Sequence, residues 1–155
     1  MTPTVQVVSY TEVRAAVHAR LKQVPGILLV TPNEPRVLQI SPAIYTLFAG
    51  FRRHVEGQQE KITYRMIHRL CVKWIENERA EEQLAELVNP ILRGLTYDPQ
   101  LSGLIGGGLV TVADGEAGYM ALGENPGILS HRTLDFNQEV LTKGPAPQRH
   151  IPGQP

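Results

Sequence analysis

The sequence predicts an α+β fold: a mixed or antiparallel sheet with a long projecting β-hairpin, packed against two main helices. Three observations carry the prediction. Apolar residues recur at helical spacing in two stretches, Val13 to Val24 and Ala80 to Leu95. Between them, Ile62, Tyr64, Met66, His68, Leu70, Val72 and Trp74 alternate with Thr63, Arg65, Ile67, Arg69, Cys71 and Lys73, which is the period of a strand. After the second helical stretch, short β-branched runs separated by turn signals continue to Leu141.

Taken in order, residues 1–8 form a short apolar lead-in able to add a strand. Ser9 and Glu12 fit a capping box ahead of a first helix from about Tyr10 to Val24. Pro25-Gly26 stops it, because proline cannot continue a helix and glycine suits the turn. Ile27 to Thr31 reads as a strand. Arg36 to Ile40 and Ala43 to Phe51 are strand-like but broken at Ser41-Pro42. Gly50 to Lys61, with Gly57, two adjacent glutamines and mixed charge, reads as a loop.

The alternating segment Ile62 to Trp74 is the clearest element. At about 3.3 Å per residue it spans roughly 43 Å, beyond the usual strand of about five or six residues. A strand this long should leave its own core or cross a subunit boundary, and paired with Ala43 to Phe51 it makes the hairpin. Asn77 is placed to cap the second helix, whose early turns carry Glu76, Glu78, Glu81, Glu82 and Glu86, where the helix dipole favours acid. Pro90 should kink that helix or end it near Val88. Leu109 to Ala113, Gly118 to Leu122 and Thr133 to Leu141 read as strands, with Asp114-Gly115 as a hairpin turn between the first two. Residues 1–143 form one α+β domain, and the Pro- and Gly-rich 144–155 form a flexible tail.

Composition narrows the functions. The chain has 155 residues, 42% of them apolar, with 15 Lys plus Arg against 15 Asp plus Glu. Zero net charge gives no global attraction to nucleic acid or anionic membranes. A charged fraction of 19% is low beside the roughly 25% of an average soluble domain. The single cysteine, Cys71, excludes a disulfide framework and a cysteine-based zinc site. With no secretory or membrane-spanning run, the chain reads as soluble and cytoplasmic.

No site chemistry stands out. The five histidines do not cluster at ligand spacing, and strand geometry puts His68 and Cys71 on opposite faces. His68 therefore reads as a satisfied strand histidine. Gly103 to Gly108 is followed by no Gly-Lys-Ser/Thr and no helix, so it reads as a hinge and not a phosphate loop. No Ser-His-Asp order, nucleophile elbow or dinucleotide fingerprint is present. The expectation is a non-enzyme with no catalytic residue, cofactor or metal. One local patch remains: the basic face Arg65, Arg69 and Lys73, with Arg52 and Arg53 near the hairpin tip, and the acidic helix start Glu78, Glu81 and Glu82. A solvated face or a subunit contact is favoured over nucleic acid, because no aromatic residues interleave there.

This layout resembles the tail terminator (tail completion) proteins of long-tailed bacteriophages. The resemblance runs over about Tyr10 to Thr142: the opening helix ending in VPGI, the strand Ile62 to Trp74 entering ENERAEEQLAELVNPIL, then DPQLSGLIGG, GEAGYMALG and HRTLDFNQEV. It implies a homo-oligomeric ring, usually a hexamer, located in the virion tail and neck and assembled in the host cytoplasm. Such a ring caps the tail tube, ends its polymerisation and meets the head-side neck. The implied partners are the tail tube protein and a connector or stopper protein, with DNA only as passing cargo and no membrane. Two alternatives remain: a connector or stopper neck protein, and, more distantly, a small cytoplasmic enzyme or ligand-binding domain.

Overall fold

The computed structural model describes residues 8–101, 103–105 and 109–145. The chain runs α1 (Tyr10–Leu21), β1 (Leu29–Thr31), β2 (Ala43–Glu56), β3 (Gln59–Lys73), α2 (Asn77–Thr96), β4 (Leu109–Asp114), β5 (Ala117–Met120) and β6 (His131–Pro145). The fold is α+β: two helices pack on a six-stranded mixed sheet of order β1-β2-β3-β6-β4, with β5 also on β6. β1 is parallel to β2 and every other pairing is antiparallel.

The main core lies between sheet and helices. Val13, Val17 and Leu21 of α1 and Ala80, Leu84, Leu87, Ile91 and Leu95 of α2 meet Ile44, Met66, Leu70, Val72, Phe136 and Val140 of the sheet. Burying one such Leu or Ile contributes about 1.5–3 kcal/mol, so these residues set which sheet face is inward. A smaller cluster on the other face holds Leu38, Ala43, Tyr45, Cys71 and Leu122. His68 and Cys71 thus point to opposite sides, as strand geometry requires.

Several expectations are corrected. The stretch expected as a loop at Gly50 to Lys61 is mostly strand. β2 and β3 pair down to Glu56↔Gln59 across the turn Gly57-Gln58. Gly57 has φ +61°, and glycine at the first central position is the requirement of a type II′ hairpin turn. The hairpin is also not a free two-stranded projection. β6 accompanies β3 over its full length, from Lys73↔His131 to Gln59↔Pro145. The first two residues of the expected tail, Gly144 and Pro145, are therefore in β6; residues 146–155 lie outside the described residues, as do 1–7, Ser102 and the glycines 106–108.

Arg36 to Ile40 is not a strand: it crosses the outer sheet face, burying Leu38, whose N–H donates to the Leu122 carbonyl at 2.8 Å. Ser9 does cap α1, its Oγ accepting the Glu12 N–H at 3.3 Å, and the helix ends at Leu21, three residues earlier than expected. Asn77 does not cap α2. It is the first helical residue, after a Glu76 N-cap that makes no side-chain bond, and its Oδ1 accepts from Trp74 Nε1. Pro90 does not end α2, which continues to Thr96. An interior proline costs about 3 kcal/mol, and Ile91 and Leu95, buried beyond it, together return at least as much.

Asp114-Gly115 is not a hairpin turn. β4 and β5 do not pair with each other; both pair with β6, consecutively along its length, so they form one interrupted strand. The Asp135 N–H donates to the Glu116 carbonyl at 2.8 Å between them. A Cβ on Gly115 would fall 2.0 Å from the Asp135 carbonyl oxygen, so glycine here permits the interrupted strand to approach the β6 backbone closely.

Candidate subunit interface

Residues directly opposite in an antiparallel pair share a face, so the register sorts the basic patch. Below the irregularity at Phe48/Gly50, Arg52 stands opposite Thr63, and His54 opposite Lys61. On the other side of β3, Arg65 stands opposite Glu139, Thr63 opposite Leu141, and Lys61 opposite Lys143. Arg52, His54, Lys61, Arg65 and Lys143 therefore share the sheet face turned away from the helices. The helix-side face of the same strands carries Phe51, Val55 and Ile62. Phe48, Phe51 and Val55 are 54%, 59% and 44% exposed, and Tyr10 lies against Phe48 with ring centroids 4.5 Å apart.

The eight residues expected at an interface divide. Three of them are held inside the chain. Arg69 grips Asp135 with two bonds, Nε to Oδ1 at 2.7 Å and Nη2 to Oδ2 at 2.9 Å, and Nη1 reaches Met120 Sδ at 3.2 Å. That carboxylate holds the guanidinium charged even more firmly than usual. Arg53 Nε donates to the buried Glu60 at 2.5 Å, on the helix side. Glu81 accepts from Arg132 Nη1 at 3.0 Å, and the Arg132 guanidinium sits 4.4 Å from the centre of the Tyr119 ring. The acidic helix start thus meets Arg132 of β6, not the basic face of β3.

The other five are open. Arg52 only approaches Glu139, at 3.8 Å. Arg65, Lys73, Glu78 and Glu82 are exposed and form no ion pair among the described residues. The patch therefore loses Arg53, Arg69 and Glu81 and gains His54, Lys61 and Lys143, which only the register brings in.

A buried polar chain crosses the main core. His18 Nε2 lies 2.6 Å from Thr46 Oγ1, Thr46 Oγ1 lies 2.7 Å from His68 Nδ1, and His68 Nε2 lies 2.5 Å from Gln138 Oε1. Because Gln138 Oε1 only accepts, His68 carries its proton on Nε2 and Nδ1 accepts from the Thr46 hydroxyl. The hydroxyl in turn accepts from His18 Nε2–H. Burial lowers both histidines to about 4 from the ordinary 6.5, so both are neutral at pH 7. The chain ties α1 to β2, β3 and β6. Sequence spacing hides it, since its members are 22 to 70 residues apart.

Burial pushes the Cys71 thiol up to about 12, so it is not a thiolate at neutral pH. No three His, Cys, Asp or Glu side chains gather as a metal site among the described residues. A cleft of about 380 Å³ opens between the C-terminal ends of the helices, lined by Arg20, Val24, Pro25, Pro90, Arg93 and Tyr97. Arg20 there is bound to Asp98 at 2.6 Å. No helix of the described residues is long and apolar enough to cross a membrane.

The chain matches no protein-family model and no curated protein.

Proposed function

We propose that this chain is a structural virion protein whose copies form a ring, capping the tail tube of a long-tailed phage and joining it to the head-side neck. The observation that carries the reading is the exposed apolar run Phe48, Phe51 and Val55 on β2. β1 pairs with β2 only from Ala43 to Tyr45, so the outer edge of β2 from Thr46 to Glu56 has no partner strand among the described residues. An open edge beside exposed apolar side chains is a liability that self-association removes. A closed ring removes it for every copy, whereas a non-closing contact yields filaments. The low charged fraction and the resemblance in layout to tail terminators support the same reading.

The test is tail-tube assembly in vitro with and without the protein, imaged by negative stain, alongside light scattering of the protein alone. Rings seated on tube ends, with tube growth arrested, are expected. A compact monomer indifferent to tubes overturns the reading. Binding to the portal-side ring in place of the tube reassigns it to a connector or stopper.

A further inference from the structure

We propose that the sheet face turned away from the helices docks the outer face of helix α2 from a second copy of this chain. On that face Lys61 and Arg65 lie four residues apart on β3, and Arg52 stands between them, opposite Thr63. At about 3.3 Å per residue, the cations Lys61, Arg52 and Arg65 climb in steps of roughly 6.6 Å. On α2, Glu78, Glu82 and Glu86 recur every four residues, away from the buried Ala80, Leu84 and Leu87. At about 1.5 Å per residue their steps are roughly 6 Å. Three anionic rungs and three cationic rungs therefore match over the whole ladder to about 1 Å.

Neither ladder is fully neutralised by its own chain. Glu78, Glu82 and Glu86 are exposed and form no ion pair among the described residues, and like charges at this helix spacing repel one another. Lys61 stands directly opposite Lys143, an arrangement that also repels. Internal partners are loose: Glu56 at 3.8 Å from Lys61, and Glu139 at 3.8 Å from Arg52. Arg65 has none among the described residues. A chain's own α2 cannot reach its own basic ladder, because the sheet lies between them: α2 packs on the face of Leu70, Val72, Phe136 and Val140. Three acids on the outer face of α2 and three cations on the opposite side of the sheet are unlike surfaces, which fits a head-to-tail contact between copies, the geometry that can close into a ring. A second copy is favoured over nucleic acid because Glu56 and Glu139 interleave with the cations and no aromatic ring stands among them.

The inference rests on the self-association in the reading above, not on the tail tube. Two variants test it, K61E/R65E on the sheet and E78K/E82K/E86K on the helix, checked for native circular dichroism and followed by sedimentation. The unmodified chain should associate at about 50 mM salt and dissociate toward about 0.5 M, as screening shortens the range of charge. Each variant alone should be monomeric, and an equimolar mixture should associate again, because reversal on one copy complements reversal on the other. Association of either variant alone, a mixture that stays monomeric, or an unmodified chain that is monomeric at every concentration overturns the proposal. So does salt-sensitive binding of duplex DNA that K61E/R65E abolishes in a chain that never self-associates. Restored association without tube capping sinks the tail reading and leaves this contact standing.

Discussion

The Thr46 hydroxyl lies 2.7 Å from His68 Nδ1 and joins two neutral, buried histidines. That relationship makes stability depend on pH in a defined window. Both histidines titrate near 4 in the folded state and near 6.5 when unfolded, so below pH 6.5 the unfolded chain binds the extra protons. Stability is complete above about pH 6.5 and is lost progressively as pH falls toward 4. The unfolding free energy from urea titration should fall over that interval, by a few kcal/mol in total. A midpoint unchanged between pH 6.5 and 5, where most carboxylates stay ionised, contradicts the neutral assignment.

Removing the joint itself is a sharper test. Thr46→Val keeps the volume but leaves His18 Nε2–H and His68 Nδ1 without that partner in the buried core. The expected loss is about 2–4 kcal/mol by chemical denaturation. Thr46→Ser, which retains the hydroxyl, should lose about 1 kcal/mol or less. Equal losses for the two mean that packing, not the hydrogen bonds, is what Thr46 supplies.

Arg65 and Arg69 share a strand and a face, yet they should behave differently. Arg69 and Asp135 are about one-fifth exposed and bonded twice, so Arg69→Ala should cost about 2–3 kcal/mol. The double variant with Asp135→Asn should cost much less than the sum, which a double-mutant cycle in urea measures. Arg65→Ala should change monomer stability by no more than about 0.5 kcal/mol. An Arg65 as costly as Arg69 would place it in the monomer's own framework and weaken its assignment to a contact between copies.

How much of this was legible follows from how local each signal is. The period-two alternation of β3 and the apolar stripe of α2 are local, and both elements form where the spacing puts them. The capping of α1 by Ser9 is equally local. The stretch Glu56-Gly57-Gln58-Gln59 reads as a loop by composition, yet β6 pairs with β3 down to Pro145 and holds it as strand. Asp114-Gly115 carries the dipeptide of a hairpin turn. β6 is long enough to template both flanking segments, and the same glycine serves a close backbone approach to β6. The partition of the basic face was invisible for the same reason. Arg69 finds Asp135 across 66 residues and Arg53 finds Glu60 across seven, and alternation alone does not distinguish them from Arg65.

Gly115 tests whether that close approach is required. A Cβ there meets the Asp135 carbonyl oxygen at 2.0 Å, and the atom it meets is backbone, which has little room to move. Gly115→Ala must separate β4–β5 from β6 and is expected to cost about 2–4 kcal/mol, read as a shift of the urea midpoint. Hydrogen exchange should show the loss concentrated at the Asp135 amide, which donates to Glu116. An unchanged midpoint means the strand pair opens without strain.

Pro90 gives a prediction of opposite sign. It lies inside α2, where it has no N–H for the Glu86 carbonyl. Pro90→Ala restores that bond and relieves the ring's clash with the preceding turn, terms worth about 3 kcal/mol together. Against this stands the greater freedom of an unfolded chain without proline, about 0.4–1 kcal/mol, and the loss of the ring from the wall of the cleft that Val24 and Pro25 also line. The balance favours stabilisation by about 1–2 kcal/mol, visible as a rise of a few degrees in Tm. If Pro90→Ala instead lowers Tm, ring packing between the helix ends outweighs the missing hydrogen bond. The proline is then part of what fixes α1 against α2, and its cost to the helix is offset at that contact.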